Sequence, residues 1–106
     1  MNRGEVWWID FSKARGGEVQ KARPAVIVSN NSANKFLNRL QVIPLSSQVA
    51  KVYPSEAIVT FGGKQSKAMA DQITTASKER LKNKAGSLSA KDMASVDRVI
   101  KVQLGL

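Results

Sequence analysis

Chemistry in this chain has to be assembled from a short inventory. Its 106 residues include no histidine and no cysteine, and seventeen Lys and Arg stand against eight Asp and Glu, a formal charge of +9. The lack of histidine removes the commonest general acid and base, the His-dependent triads and the His-Glu-x-x-His zinc site. The lack of cysteine removes thiolate nucleophiles, Cys-type zinc sites and disulfides, so nothing points to an oxidising compartment. The acids are Glu5, Asp10, Glu18, Glu56, Asp71, Glu79, Asp92 and Asp97, no two closer than five positions. No local carboxylate cluster therefore announces a two-metal nuclease site, although a fold can still gather distant acids. Gly62-Gly63-Lys64 lacks both the earlier glycine and the following Ser or Thr of a phosphate-binding loop, and reads as a turn.

What is left is Arg, Lys, Ser, Thr, Tyr and scattered acids, an inventory suited to a substrate that carries its own nucleophile. RNA is such a substrate. When its 2′-hydroxyl attacks the adjacent phosphate in line, the enzyme positions the strand, accepts one proton, neutralises the phosphoryl oxygens and assists the 5′-oxygen to leave. Arginine suits the neutralising part, because its planar fork matches a phosphate and its charge does not titrate near neutral pH. The charge of +9 points the same way: a surplus of this size attracts polyanions, and nucleic acid is the leading partner class. A merely soluble basic domain, or a structural part of a ribonucleoprotein, is the competing reading. Lys13, Arg15, Lys21, Lys51, Lys64 and Lys67 read as solvated cations that attract an RNA backbone collectively.

The elements that must position these groups are short. The length fits a single domain, residues 1–106. Glu5 to Phe11 reads as a strand, with Trp7, Ile9 and Phe11 on one face and Val6, Trp8 and Asp10 on the other. Trp7 and Trp8 offer stacking platforms for bases, but so apolar a strand places them in the core or a dimer interface. Ser12 to Arg23 is a polar basic loop containing Gly16-Gly17. Pro24 biases Arg23 toward extended backbone, and Ala25 to Ser29 is a buried strand. Asn30 to Asn34 supplies turn and cap residues for one or two helical turns through Leu37. Gln41 to Leu45 and Glu56 to Phe61 are further strands, and Gln65 to Gln72 a fifth after the Gly62-Gly63 turn. Ser77 to Leu81 suggests one helical turn. Ser89 to Asp92 resembles a capping box opening a C-terminal amphipathic helix, with Met93, Val96, Val99, Ile100 and Leu104 as its core or dimer stripe. The chain therefore reads as mainly β with a C-terminal helix: a curved antiparallel sheet or small barrel with the helix packed on it. The N-terminus has no apolar leader and no apolar run is of spanning length, so a cytoplasmic protein without membrane contact is expected.

Four blocks, in order, resemble those of the MazF/PemK toxins: Arg3-Gly4-Glu5-Val6-Trp7; Gly17-Glu18 ahead of Arg23-Pro24-Ala25-Val26-Ile27-Val28-Ser29; Pro44-Leu45-Ser46-Ser47-Gln48; and Ala70-Asp71-Gln72-Ile73 with a later Glu79-Arg80-Leu81. The resemblance runs from about residue 2 to 105. It implies an α+β fold of the CcdB/MazF/PemK kind, an SH3-like barrel of about five to seven antiparallel strands. It also implies a homodimer and metal-independent, sequence-selective cleavage of single-stranded RNA, leaving a 2′,3′-cyclic phosphate and a 5′-hydroxyl. No cofactor is implied. The implied partner is an antitoxin with an acidic C-terminal segment, through which alone DNA would be met. By this resemblance Arg23 is the catalytic cation and Ser46 completes the centre, with Glu18, Lys21, Ser47, Gln48, Asp71 and Gln72 as RNA-binding residues. Glu18 is also the nearest candidate base. Gly17 stands where some members have histidine, Met69 where some have arginine, and Ser46 replaces a commoner threonine, so any acid–base scheme built on that histidine and arginine is unavailable here. The alternative within this fold is a protein that holds nucleic acid, or inhibits a topoisomerase, without cutting.

Overall fold

Strand β1, Glu5–Asp10, feeds a different core from each face in the computed structural model, which describes residues 1–11 and 22–106. Val6 joins Val26, Ile43, Leu45, Val59 and Ala68 in a core closed by Val96 and Val99 of the C-terminal helix. Ile9 joins Ala25, Ile27, Leu40, Val42, Ala76 and Leu81 in a second, against which Trp7 and Phe11 pack. The period-two alternation expected of the strand is thus realised, with the Val6 face covered at Val6 and open at Trp8.

The remaining strands are β2 (Ala22–Ile27), β3 (Arg39–Ser46), β4 (Glu56–Phe61), β5 (Lys64–Met69), β6 (Thr74–Ser77) and β7 (Leu81–Ser87), with helices α1 (Asn31–Phe36) and α2 (Ala90–Leu104). All pairings are antiparallel, in the order β4-β5-β3-β2-β1-β7, with β6 also on β3. This is the mostly β, half-barrel arrangement with a C-terminal helix that the sequence leads one to expect. Strand β3 is its spine. It pairs with β2 through Val42 to Pro44, with β6 through Arg39 to Val42, and with β5 through Leu45 and Ser46. Pro44, which has no N–H to donate, falls where β3 changes over from β6 to β5.

Local chemistry accounts for most boundaries. Asn30 caps α1, its side chain accepting from Ala33 N at 2.8 Å. Gly62 and Gly63, with φ of 58° and 75°, make the two-residue turn that fixes the register of β4 with β5. Ser89 Oγ accepts from Asp92 N at 3.1 Å, the first half of a capping box. The Asp92 carboxylate turns instead to Thr60 N, at 2.9 Å, and ties the first turn of α2 to β4. Gly105, at φ 71°, closes α2 in the left-handed region, and Leu106 N returns to Lys101 O. No described helix is long and apolar enough to cross a membrane.

The structure departs from the expected elements at four places. The fifth strand stops at Met69, and Ala70–Gln72 form a 3-10 turn tethered by Ala70 N to Ser55 O and Ile73 N to Ala70 O. Strands β6 and β7 carry no strong apolar signal. β7, Leu-Lys-Asn-Lys-Ala-Gly-Ser, is a lysine-bearing edge strand with register shifts against β1. Leu104 is half exposed and leaves the α2 stripe to Met93, Val96, Val99 and Ile100. Trp8 is exposed and outside both cores, whereas Trp7 is partly buried, its Nε1–H donating to Glu5 Oε1 at 2.9 Å.

The Arg3-Gly4-Glu5 block serves the framework. Arg3 Nε donates to Val28 O at 2.8 Å, its guanidinium pairs with Asp97 of α2, and its backbone N–H donates to Asn31 Oδ1 at 2.7 Å. One side chain thereby joins the end of β2 to the middle of α2. Burial pushes the Glu5 carboxyl up, but the Trp7 hydrogen bond, a backbone hydrogen bond at Asn2, the N-terminal ammonium and Lys84 together hold it below its ordinary value.

Candidate functional site

Strands β1, β2 and β3 run side by side, and their registers decide what meets at one end of the sheet. Pro24 of β2 pairs with Trp8 of β1, and Arg23 with Ile9. On its other side β2 pairs Ala25 with Pro44. Continued by two positions, that register sets Arg23 across from Ser46, the last residue of β3. Residues 23 positions apart in the chain are therefore brought to one site by strand pairing. β5 lies on the far side of β3, with Lys67 paired to Ser46.

At this end of the sheet opens a cleft of about 750 Å³. Arg23, Ser46, Ser47, Gln48 and Gln72 line it, as do Trp8 and Pro24 on one side and Phe61, Gly62, Lys64, Gln65 and Ser66 of the β4–β5 hairpin on the other. Its described lining holds two cations, Arg23 and Lys64, and no carboxylate. Among the described residues no three acidic side chains converge as metal ligands. Two exposed cations, hydroxyls, amides and an exposed indole in an open groove fit an anionic chain with flat, stackable bases. A depression of about 460 Å³ along α2, bordered by Ala94, Arg98 and Val102, contains none of the blocks singled out in the sequence.

Ser46 Oγ accepts from Gln48 N at 3.2 Å. The hydroxyl thus turns the chain at the strand end and has part of its acceptor capacity occupied, while its own proton stays available for donation. An oxygen so placed is suited to donate to a phosphoryl oxygen, not to take a proton. Gln72 Nε2 donates to Met69 Sδ at 3.7 Å, which steadies the amide at the cleft edge.

Asp71 is exposed on the 3-10 turn and does not line the cleft. Glu18 and Lys21, with Lys13 and Arg15, lie outside the described residues. Lys67 departs most from expectation. It is no solvated cation: its side chain is 10% exposed, with Nζ 3.2 Å from Glu56 Oε1 and donating to Lys51 O at 2.9 Å. Trp8, offered in the sequence as a stacking platform but assigned to the core or a dimer interface, lines the cleft, as does Phe61, which the sequence did not single out. Trp8 was hidden by its apolar strand. Phe61 carries a signal only in retrospect, as the residue just before the Gly62-Gly63 turn.

The description "PemK-like, MazF-like toxin of type II toxin-antitoxin system" matches residues 2–104. The chain is 42% identical to "Endoribonuclease MazF9" of Mycobacterium tuberculosis over 115 aligned residues, covering 100% of this chain and 98% of the relative. It is 33% identical to "Endoribonuclease MazF" of Staphylococcus saprophyticus, covering 100% and 92%. Its fold superposes on a crystal structure of MazE–MazF from Deinococcus radiodurans with a TM-score of 0.85 at 25% identity, covering 100% of this chain and 96% of that one.

Proposed function

Since the chain belongs to the PemK-like, MazF-like toxin family of type II toxin–antitoxin systems, we propose that it is an endoribonuclease that cuts single-stranded RNA in the cleft between Arg23 and the β4–β5 hairpin. The observation that carries this reading is the meeting of Arg23 and Ser46 in one groove whose described lining carries no carboxylate. The strand lies along the groove with its scissile phosphate at Arg23. The 2′-oxygen loses its proton to a base and bonds to phosphorus as the bond from phosphorus to the 5′-oxygen breaks, and the departing 5′-oxygen takes up a proton from water. The products are a 2′,3′-cyclic phosphate and a 5′-hydroxyl, with no metal required.

Arg23 binds the equatorial oxygens where negative charge accumulates. Ser46 donates a hydrogen bond from its hydroxyl to the same phosphate. Glu18 is our candidate for the base, and Ser47, Gln48, Gln72 and Lys21 for contacts to the strand, with Asp71 acting from the cleft margin. Trp8 stacks on a base beside the phosphate. The protein acts as a homodimer. An antitoxin silences it by laying an acidic segment over Arg23 and Lys64, where opposite charge and cleft shape coincide.

The test is incubation of purified protein with single-stranded RNA of varied sequence in EDTA, with end analysis of the fragments. Fragments bearing 2′,3′-cyclic phosphate are expected. Intact RNA across all sequences would refute the nuclease reading and leave a non-cutting binding protein.

A further inference from the structure

Lys67 is a buried lysine in a β-strand beside a cleft, a position that a methionine of similar length fills without desolvating a charge. Its contacts explain what it does there. The ammonium reaches Glu56 Oε1 at 3.2 Å, Lys51 O at 2.9 Å and the Tyr53 ring at 5.8 Å from its centroid. The same Glu56 oxygen accepts from Tyr53 N at 2.9 Å. Every one of these contacts falls on the stretch from Lys51 to Glu56, in and just after the segment joining β3 to β4. That segment begins with Ser47 and Gln48, which line the cleft, and its own backbone ties are few: Glu56 N to Tyr53 O, Ser55 O to Ala70 N, and Gln48 N to Ser46 Oγ. In the sheet, Lys67 is also the register partner of Ser46. One residue therefore backs Ser46 from the neighbouring strand and holds the far end of the segment that leaves it.

We propose that Lys67, through Glu56, is a positioning residue: the buried pair fixes residues 47–55 and thereby sets Ser46, Ser47 and Gln48 against the substrate. This rests on the ribonuclease reading above. Lys67 itself touches no substrate. It acts by removing freedom from the cleft wall, where small displacements cost rate.

A purely stabilising pair and a positioning pair respond differently when both charges are removed together. Lys67→Met strands a buried carboxylate and lowers stability whichever role is correct. Glu56→Gln combined with Lys67→Met leaves no buried charge and keeps the side-chain volumes, so the urea midpoint should return toward that of the parent protein. Three readouts are compared in the double variant: that midpoint, amide exchange at Gln48 and Tyr53 relative to core amides of β4 and β5, and kcat and KM for single-stranded RNA. The expected result is local exchange faster by about tenfold and kcat lower by about ten- to a hundredfold with KM within about twofold. Parental exchange, or parental kcat, in the double variant overturns the proposal. If the parent protein itself leaves RNA intact, the nuclease reading fails and the catalytic part of this proposal falls with it. The exchange ratio at Gln48 and Tyr53 then still decides whether the pair tethers the segment.

Discussion

Ser46 has a cation on each side of it in the sheet, and the two flanks are built in opposite ways. On the β2 side stands Arg23, exposed, with no ion-pair partner among the described residues and open to the cleft. On the β5 side stands Lys67, buried, paired with Glu56 and hydrogen-bonded to the Lys51 carbonyl. The choice of residue matches the difference. Arginine keeps its charge and its fork when solvated and waits for a planar anion; lysine is a compact point charge that a small buried cage can surround. A positive charge in this fold is thus either available to a ligand or consumed by the framework. Proximity to Ser46 does not reveal which.

Exchanging the two roles by mutation is the sharpest way to break this comparison. Lys67→Met should destabilise the protein by about 3–5 kcal/mol, because it leaves Glu56 buried without its partner; urea unfolding measures this, and a loss below about 1 kcal/mol would mean the pair is far better hydrated than its burial indicates. Arg23→Ala should do the reverse. Its unfolding midpoint should stay within a few tenths of a kcal/mol of the parent, while cleavage of single-stranded RNA falls by about a hundred- to a thousandfold, the usual cost of removing one donor to a developing oxyanion. Full cleavage by that variant would remove Arg23 from the centre.

The same contrast explains what could be read from the sequence. Apolar alternation in β1 and the α2 stripe are set by periods of two and 3.6 residues, and burial enforces them, so both cores were largely legible. Arg23 and Ser46 were legible as candidates because one opens and the other closes a recognisable apolar strand within a block that resembles a known family. Lys67 was not. Its neighbours Gln65, Ser66 and Ala68 give no apolar signal, and its partner Glu56 is eleven residues away across a hairpin, so only the fold reveals that the charge is spent internally. Trp8 failed in the opposite sense, since an indole in an apolar strand looks like core until its face of the sheet is seen to open into the cleft. Strands β6 and β7 lacked a signal because edge and short strands are specified by what they pair with more than by their own residues.

Smaller effects separate hydroxyl from charge and charge from reach. Ser46→Ala removes a donor to the phosphate and the acceptor for Gln48 N, and should lower kcat by about tenfold, the worth of one or two modest hydrogen bonds. Ser46→Thr keeps both and should retain most activity; single-turnover cleavage rates of the two variants distinguish loss of the hydroxyl from a general disturbance of the turn.

Lys64 tests the comparison at its weakest point, because it is exposed like Arg23 and lines the same cleft, yet sits at the start of β5, on the hairpin across the cleft from Arg23. A cation that only attracts the backbone releases one counterion on binding, so its removal should weaken affinity for any single-stranded sequence alike and lower the salt slope of log K by about 0.7. Measured on a 2′-deoxy analogue that cannot be cleaved, Lys64→Ala should show that smaller slope, and single-turnover cleavage at saturating RNA should stay within about twofold of the parent, since a uniform binding contact leaves the chemical step alone. A large drop in the single-turnover rate would instead place Lys64 beside Arg23 at the reacting phosphate. The cleft would then hold two catalytic cations, and availability to solvent would mark function on both of its walls.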